Sequence, residues 1–339
     1  MQGMSGTSRP RVLSGIQATG RLHIGNYIGA ISLWADNQDK YETFLFVADL
    51  HALTVPEAVK PGELRRRVED IFALYIACGI DPERSTLFVQ SEVPQHADLG
   101  WLMTCVTPVS WLERSTQYKS KGAATQSVGA GLLCYPSLQA ADIVLYDADA
   151  VPVGDDQKQH VEMTRSIARR FNSIFGDTFK VPELLMRESG SRIMGLDDPT
   201  AKMSKSTAEI TPGHAIRLLD PPGQVKKAVM RAVTDSGSAV DFDNPLAAGV
   251  ENLLTIYEVL TNTDRAVSQR EFAGVGYGKL KSAVVEVVND RLATIQTKFR
   301  AIVGDRSQID KLLRQGSEQA RAVAEVRLAA AYRAVGLRQ

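Results

Sequence analysis

RVLSGIQATGRLHIGNYIGA, residues 11–30, begins as a buried strand and ends as the start of a helix. Between the two stand Gly20, His23, Gly25 and Asn26. A strand-to-helix turn of this kind is a common place for a phosphate. The pattern here is nevertheless neither the G-x-G-x-x-G of a dinucleotide site nor the G-x-x-x-x-G-K-[ST] of a P-loop.

Working outward, short β-rich runs alternate with amphipathic helical patterns. NYIGAISLWADNQ (26–38) has helical spacing, and TFLFVAD (43–49) reads as a strand buried on both faces. ELRRRVEDIFALYIACG (63–79) is a helix stopped by Gly79, and STLFVQSEV (85–93) is another strand. AADIVLYDADAVPVG (140–154) reads as a helix end, a turn and a short strand. Strands alternating with helices predict a parallel sheet covered on both faces, a Rossmann-like doubly wound α/β domain. Ligands of such sheets bind beyond the carboxyl ends of the strands, where residues 14–26 fall. Beyond about residue 205 the patterns at 213–232, 245–262, 279–301 and 307–335 are helical, so the second half is expected to be all-α. GVGYGKLK (274–281) superficially resembles a phosphate loop, but no strand precedes it and Leu280 stands where Ser or Thr belongs. It reads as a turn between helices. The expected divisions are a disordered leader at 1–10, a catalytic domain at 11–204, a helical domain at 205–300, and C-terminal helices at 301–339 that pack back on the body.

The chain has 339 residues, 44% hydrophobic and 23% charged, a balance typical of globular proteins. Its 39 Lys/Arg match its 39 Asp/Glu, with the first part acidic and the part after residue 201 basic. A mildly basic second half suits a surface that meets phosphates, although ordinary solvated helix faces give the same excess. Cys78, Cys105 and Cys134 are too few and scattered for a disulfide framework or zinc site, and are expected to be reduced, buried thiols. Neither a signal-peptide pattern nor a run of membrane-spanning length is present, which points to a cytoplasmic protein without a membrane partner.

A second motif, TAKMSKSTAEI, lies at 200–210. It places two cations and two hydroxyls within five residues. A solvated loop with a Ser or Thr helix cap would look the same, whereas a polyphosphate would use the lysines as point charges and the hydroxyls as donors. The pair of H-I-G-N after an N-terminal strand and K-M-S-K-S near the start of the helical half resembles the class I aminoacyl-tRNA synthetases. SGIQATGRLHIGNYIGA, LLCYPSLQAADIVLYDADAVPVGDDQKQH, KMSKS, AVTDS and GVGYG together are similar to the bacterial tryptophanyl-tRNA synthetase family, in order and approximate spacing.

That resemblance implies a ligase of two steps. Tryptophan's carboxylate attacks the α-phosphorus of ATP, with Mg2+ carried on the phosphates and no metal held by protein side chains; the aminoacyl group then passes to tRNA. It implies catalytic roles for His23, Asn26, Lys121, Lys202, Ser204 and Lys205. Lys121 would reach the nucleotide from the connecting segment, and its neighbour Lys119 competes for that role. Gly25 would let the backbone approach the nucleotide, above a helix whose N–H groups face phosphate. The ATP site would further include Gln17, Gly154, Asp155, Asp156, Gln157, Ile193 and Met203, the last two around the adenine. Adjacent carboxylates on an extended segment point to opposite faces, so Asp155 and Asp156 make a poor metal pair. The tryptophan pocket would be Leu13, Gln17, Tyr135, Gln139, Asp142, Val151, Val153 and Gln157, with Asp142 accepting from the indole N–H. Leu13 stands where many relatives carry Phe, Gln139 where many carry Met, and His23 where several carry Thr. The helical half would read the tRNA anticodon, and the enzyme would be a homodimer through its catalytic half. Two other readings compete: the sister synthetase for tyrosine, and a paralogue that senses tryptophan or ATP without charging tRNA. Met203 and PSLQAAD speak against the first, and two intact signatures against the second.

Overall fold

The computed structural model describes residues 9–60, 62–116, 118, 128–153, 158–186 and 192–338. Among the described residues five strands form one sheet: β1 (Arg11–Gln17), β2 (Glu42–Ala48), β3 (Ser85–Val89), β4 (Ala150–Val153) and β5 (Glu183–Met186). The order is β3-β2-β1-β4-β5, and every neighbouring pair is parallel. The chain winds outward from β1 to β3, then returns to the other side of β1 with β4. This reversal opens a crevice at the carboxyl ends of β1 and β4, where doubly wound sheets bind ligands.

Side chains alternate across the sheet and feed two cores. Leu13, Phe44, Phe46 and Phe88 pack on one face with Tyr146, Phe171 and Leu328. Ile16, Leu45, Val47 and Val89 pack on the other with Ile24, Phe72 and Tyr75. The second core continues without a break into Leu253, Leu280 and Leu292 of the helical half. Apolar contact therefore fixes the helical half against the sheet.

The first predicted helix is a run of Ile24–Asn26, a π-helical turn at Tyr27–Ile31, and Ser32–Asp36. Glu63–Ala77 ends at Gly79, whose φ of 108° only glycine adopts readily. The sheet-bearing half also holds helices Gln95–Val106, Val109–Leu112, Ala130–Val144 and Lys158–Phe175. The helical half contains Lys205–Ile210, Pro222–Met230, Ala248–Thr261, Arg265–Phe272, Tyr277–Gly304 and Arg306–Val335. GVGYG is a turn, with Gly276 capping the Tyr277–Gly304 helix.

Two expectations need correction. The helix expected over 213–232 starts only at Pro222, which occupies its first turn. Residues before the Pro221–Pro222 pair are steered away from helix, and Ile216 and Leu218 instead pair with Leu22 and Ile24 through backbone hydrogen bonds. Of the cysteines, all free, only Cys78 is buried; Cys134 is half-buried and Cys105 exposed.

The last helix lies along β3, an edge strand that would otherwise present unpaired backbone groups. A Cβ at Gly316 would fall 1.7 Å from the Leu87 carbonyl oxygen. The Ser317 hydroxyl donates to Glu92 (2.5 Å), and Arg321 donates to the Glu92 carbonyl (2.8 Å). Arg327 pairs with Asp147, just ahead of β4. Gly316→Ala should therefore push the helix off the strand and cost about 1–3 kcal/mol, as overpacking generally does. Urea denaturation checks this, and an unchanged midpoint would mean that the helix is not seated there.

Candidate active site

β1 delivers Gln17 to the mouth of the crevice, and the chain turns back to begin a helix at His23. The His23 N–H donates to Asn26 Oδ1 (3.1 Å), so Asn26 closes the first turn. On the other side, Ile24 N–H donates to Ile216 O (2.8 Å) and Leu218 N–H to Leu22 O (2.9 Å). His23 is thereby clamped between two strands of chain and is 3% exposed. Its Nδ1 is buried without a hydrogen-bond partner among the described residues, above Gly25, where a Cβ would come within 3.0 Å of it. Burial first, then the charges of Lys205 and Lys202, pull its pKa down to about 3. The imidazole is neutral at physiological pH.

The second signature comes to the same place. Ser204 caps the Lys205–Ile210 helix, its Oγ accepting the Thr207 N–H (3.2 Å). Lys205 Nζ donates to the carbonyl oxygen of Gln17 (2.7 Å). At Gly20, with φ of 59°, a Cβ would lie 2.9 Å from that of Lys205, so the turn and the second signature are in direct contact. Lys202 bridges Met194 in antiparallel fashion, and Met203 N–H donates to Ile193 O (3.1 Å). Ile193 and Met203 are both buried, side by side, with Ile193 within contact of Gly25. The buried Asn252 amide pairs with both the N–H and the C=O of Met194 (2.8 and 3.0 Å), tying this segment to the helical half.

A second cluster surrounds Asp142, which is 1% exposed. Its Oδ1 accepts from Gln90 (2.8 Å) and from His96 Nδ1 (2.6 Å); its Oδ2 meets His51 Nε2 (2.8 Å). His96 Nε2 in turn accepts from the Tyr146 hydroxyl (2.8 Å). Burial would raise the Asp142 carboxyl, but His51, by charge and hydrogen bond, and then His96 outweigh it and hold it well below the usual range. A carboxylate offers about four lone-pair positions. The described partners fill three, leaving one on Oδ2, the oxygen on the side of the partly exposed His51.

The other expected residues divide in three. Leu13 and Val151 are buried in the sheet core, and Gln139 is half-buried on the helix of Asp142. Gln17 and Tyr135 are already engaged. The Gln17 amide donates to the His51 carbonyl (2.5 Å); the Tyr135 hydroxyl bonds Ser115 (2.8 Å) and His160 (2.7 Å). Lys121 with its rival Lys119, Gly154, Asp155, Asp156 and Gln157, and the side chain of Val153, lie outside the described residues. Among the described residues, no group of three or more His, Cys, Asp or Glu is placed to hold a metal ion.

Sequence reasoning missed His51, Gln90, His96, His160, Asp197 and His214. A signal was available for the first two: each follows the carboxyl end of a strand, β2 or β3, at the same edge as Gln17.

A parallel sheet with a strand-to-helix H-I-G-N turn, met by a K-M-S-K-S loop at its carboxyl edge, defines a class I aminoacyl-tRNA synthetase. The family model described as tRNA synthetases class I (W and Y) matches residues 4–293, and the chain belongs to that family. It is 47% identical to a tryptophan–tRNA ligase of Caldanaerobacter subterraneus subsp. tengcongensis, over 93% of this chain and 94% of that one. It is 46% identical to that of Synechocystis sp., over 97% and 98%. Among solved structures, tryptophanyl-tRNA synthetase from Mycoplasma pneumoniae superposes with a TM-score of 0.88 at 36% identity, covering 97% of this chain and 98% of that one. The Campylobacter jejuni enzyme complexed with ADP and tryptophan gives 0.80 at 35% identity, covering 96% and 100%.

The state of His23 is directly measurable. Unfolded, it would take up a proton near 6.5; folded, it holds out to about 3. Its contribution to stability is complete above pH 6.5 and is lost as pH falls from there toward 3. NMR of the free enzyme should find the His23 ring neutral throughout pH 5–8, and ATP should raise its pKa because phosphate favours the charged ring. A free-enzyme midpoint near the ordinary histidine value would contradict the buried placement.

Proposed function

We propose that this chain activates L-tryptophan with ATP, giving tryptophanyl-adenylate and pyrophosphate, and then transfers tryptophan to the 3′ end of its tRNA. The observation that carries the amino-acid choice is Asp142: a buried carboxylate, kept ionised, with one acceptor position left by its described partners. The indole N–H is a donor only, and it fills that position. An apolar analogue such as phenylalanine leaves the position unpaired in a desolvated site, which is a strong basis for rejection. Leu13, Gln139, Val151 and Val153 line the indole slot, and Tyr135, Gln17 and Gln157 hold the amino-acid end.

Transfer at phosphorus asks the protein mainly for in-line alignment and charge neutralisation. Ile193 and Met203 flank the adenine, while Gly154, Asp155, Asp156 and Gln157 meet the ribose and substrate. Gly25 admits the nucleotide, whose α-phosphate lies over the helix start with His23 and Asn26 donating to it. His23 suits this role because it is neutral: it donates without adding a fixed charge, and gains basicity only when phosphate arrives. Lys202, Ser204 and Lys205 neutralise the departing pyrophosphate, with Lys121 reaching in over the nucleotide. Lys205 exchanges the Gln17 carbonyl for phosphate when ATP binds. Mg2+ travels with the ATP phosphates as part of the substrate.

The helical half, beyond the second signature, reads the anticodon. The enzyme acts in the cytoplasm as a homodimer through its catalytic half, where Trp101 is 68% exposed on the Gln95–Val106 helix. Among the described residues, no helix is long and apolar enough to cross a membrane.

ATP–pyrophosphate exchange with each of the twenty amino acids tests the reading. Tryptophan alone should support fast exchange; exchange with tyrosine alone, or with none, would overturn it. In the same assay Asp142→Ala should raise the tryptophan KM by about tenfold or more, the worth of one hydrogen bond to a buried charge, and leave the ATP KM nearly unchanged. Circular dichroism must accompany it, because the variant also strands His51, Gln90 and His96. A folded variant with wild-type tryptophan use would remove Asp142 from the pocket.

A further inference from the structure

His214 is 1% exposed in the loop after the short Lys205–Ile210 helix. Its Nδ1 meets Asp197 Oδ1 at 2.6 Å, and its Nε2 meets the backbone N of Ser204 at 3.1 Å. The amide can only donate, so Nε2 is the acceptor and Nδ1 carries the proton that Asp197 takes as a hydrogen bond. One neutral tautomer is therefore specified by its partners. The ring is closely fitted: a Cβ at Gly195 would fall 2.5 Å from its Cε1. Its own carbonyl accepts from the Leu196 N–H (3.0 Å).

The same stretch of chain holds the short helix at its other end. Arg217 donates to the Ala208 carbonyl (2.9 Å). Between these two contacts, Ile216 O takes the Ile24 N–H, the residue after His23. Residues 214–217 thus touch the second signature at Ser204, the helix that follows it at Ala208, and the first signature at Ile24.

The geometry points to His214, oriented by Asp197, as a positioning residue for adenylate formation that anchors the Ser204 amide and so fixes where Lys202, Ser204 and Lys205 present their charges and hydroxyl. It deepens the adenylation reading and rests on it. It does not touch the reacting atoms. Losing the anchor should cost rate rather than tryptophan affinity, because the Asp142 pocket is built from other elements. Glutamine is the informative replacement, since its side-chain carbonyl can accept from the Ser204 N–H whereas alanine has nothing to offer.

Two measurements on the full-length enzyme test this. In hydrogen–deuterium exchange, the peptide covering 203–208 should lose protection by about tenfold in His214→Ala, one hydrogen bond's worth, and regain most of it in His214→Gln. In tryptophan-dependent pyrophosphate exchange, kcat should fall by about tenfold in His214→Ala and recover in His214→Gln, with the tryptophan KM within about twofold throughout. Should His214→Ala fail to fold, Asp197→Ala, at a more exposed position, should give the same signature, with Asp197→Asn restoring it. Unchanged protection and kcat in folded variants would overturn the inference, as would a loss that falls equally on tryptophan KM and is not rescued by glutamine. A wild-type enzyme inert with tryptophan would instead strike the functional reading, and the deuterium arm would still decide the role of His214.

Discussion

The ammonium of Lys205 reaches the carbonyl oxygen of Gln17 across 188 residues of sequence. Most of the architecture can be understood as holding those two atoms in range. Gln17 is fixed because β1 is held by β2 through seven residues in register, Gln17 opposite Ala48 among them, and is flanked on its other side by β4 at Val12. Lys205 is fixed because Ser204 caps its helix and Asn252 pins Met194, which is bridged to Lys202. A lysine is a flexible point charge, and its value at a phosphate depends on where its backbone sits. Here the backbone is set by those contacts, which reduces the ordering that the nucleotide itself would have to drive.

The uninterrupted apolar core is the reason the two halves can cooperate. Had the sheet and the helical half packed as separate bodies, the cleft between the signatures would be as variable as their hinge. Leu253, Leu280 and Leu292 share one core with Ile24 and Ile28, so the element carrying His23 and the helices behind the second signature are packed together. The Asp142 cluster, the proposed tryptophan side, is organised differently. Asp142 depends on a polar network, His51, Gln90, His96 and Tyr146, inside an apolar surround. Such a network is costly if half satisfied and rigid when complete. A rigid acceptor serves selection, and a polyphosphate site can tolerate more adjustment. On the proposed function, these two constructions would divide the site into a fixed amino-acid pocket and a clamped but adjustable phosphate side.

How much of this was readable in advance depended on how local the signal was. β1, β2 and β3 were legible because strands buried on both faces are nearly continuous apolar runs. β5 was not, since ELLM is four residues long without alternation or turn signals of its own. The 213–221 segment misled because its apolar spacing fits a helix, while its real partners, Leu22 and Ile24, lie two hundred residues away. Asp142 was marked by resemblance, yet the three side chains that hydrogen-bond it come from three different elements and leave no shared pattern in the chain. His214 is the extreme case. As a lone histidine in a polar loop it carries no local signal, and it acquires meaning only when Asp197 and Ser204 are brought to opposite sides of its ring.

The claim at the centre is that His23 and Lys205 act on one triphosphate. A double-mutant cycle on the rate of adenylate formation measures this, using His23→Ala, Lys205→Ala and the combination. If both side chains serve the same phosphates, the combined loss will fall well short of the product of the single losses. Strictly multiplicative losses would mean two independent sites, and the account would fail.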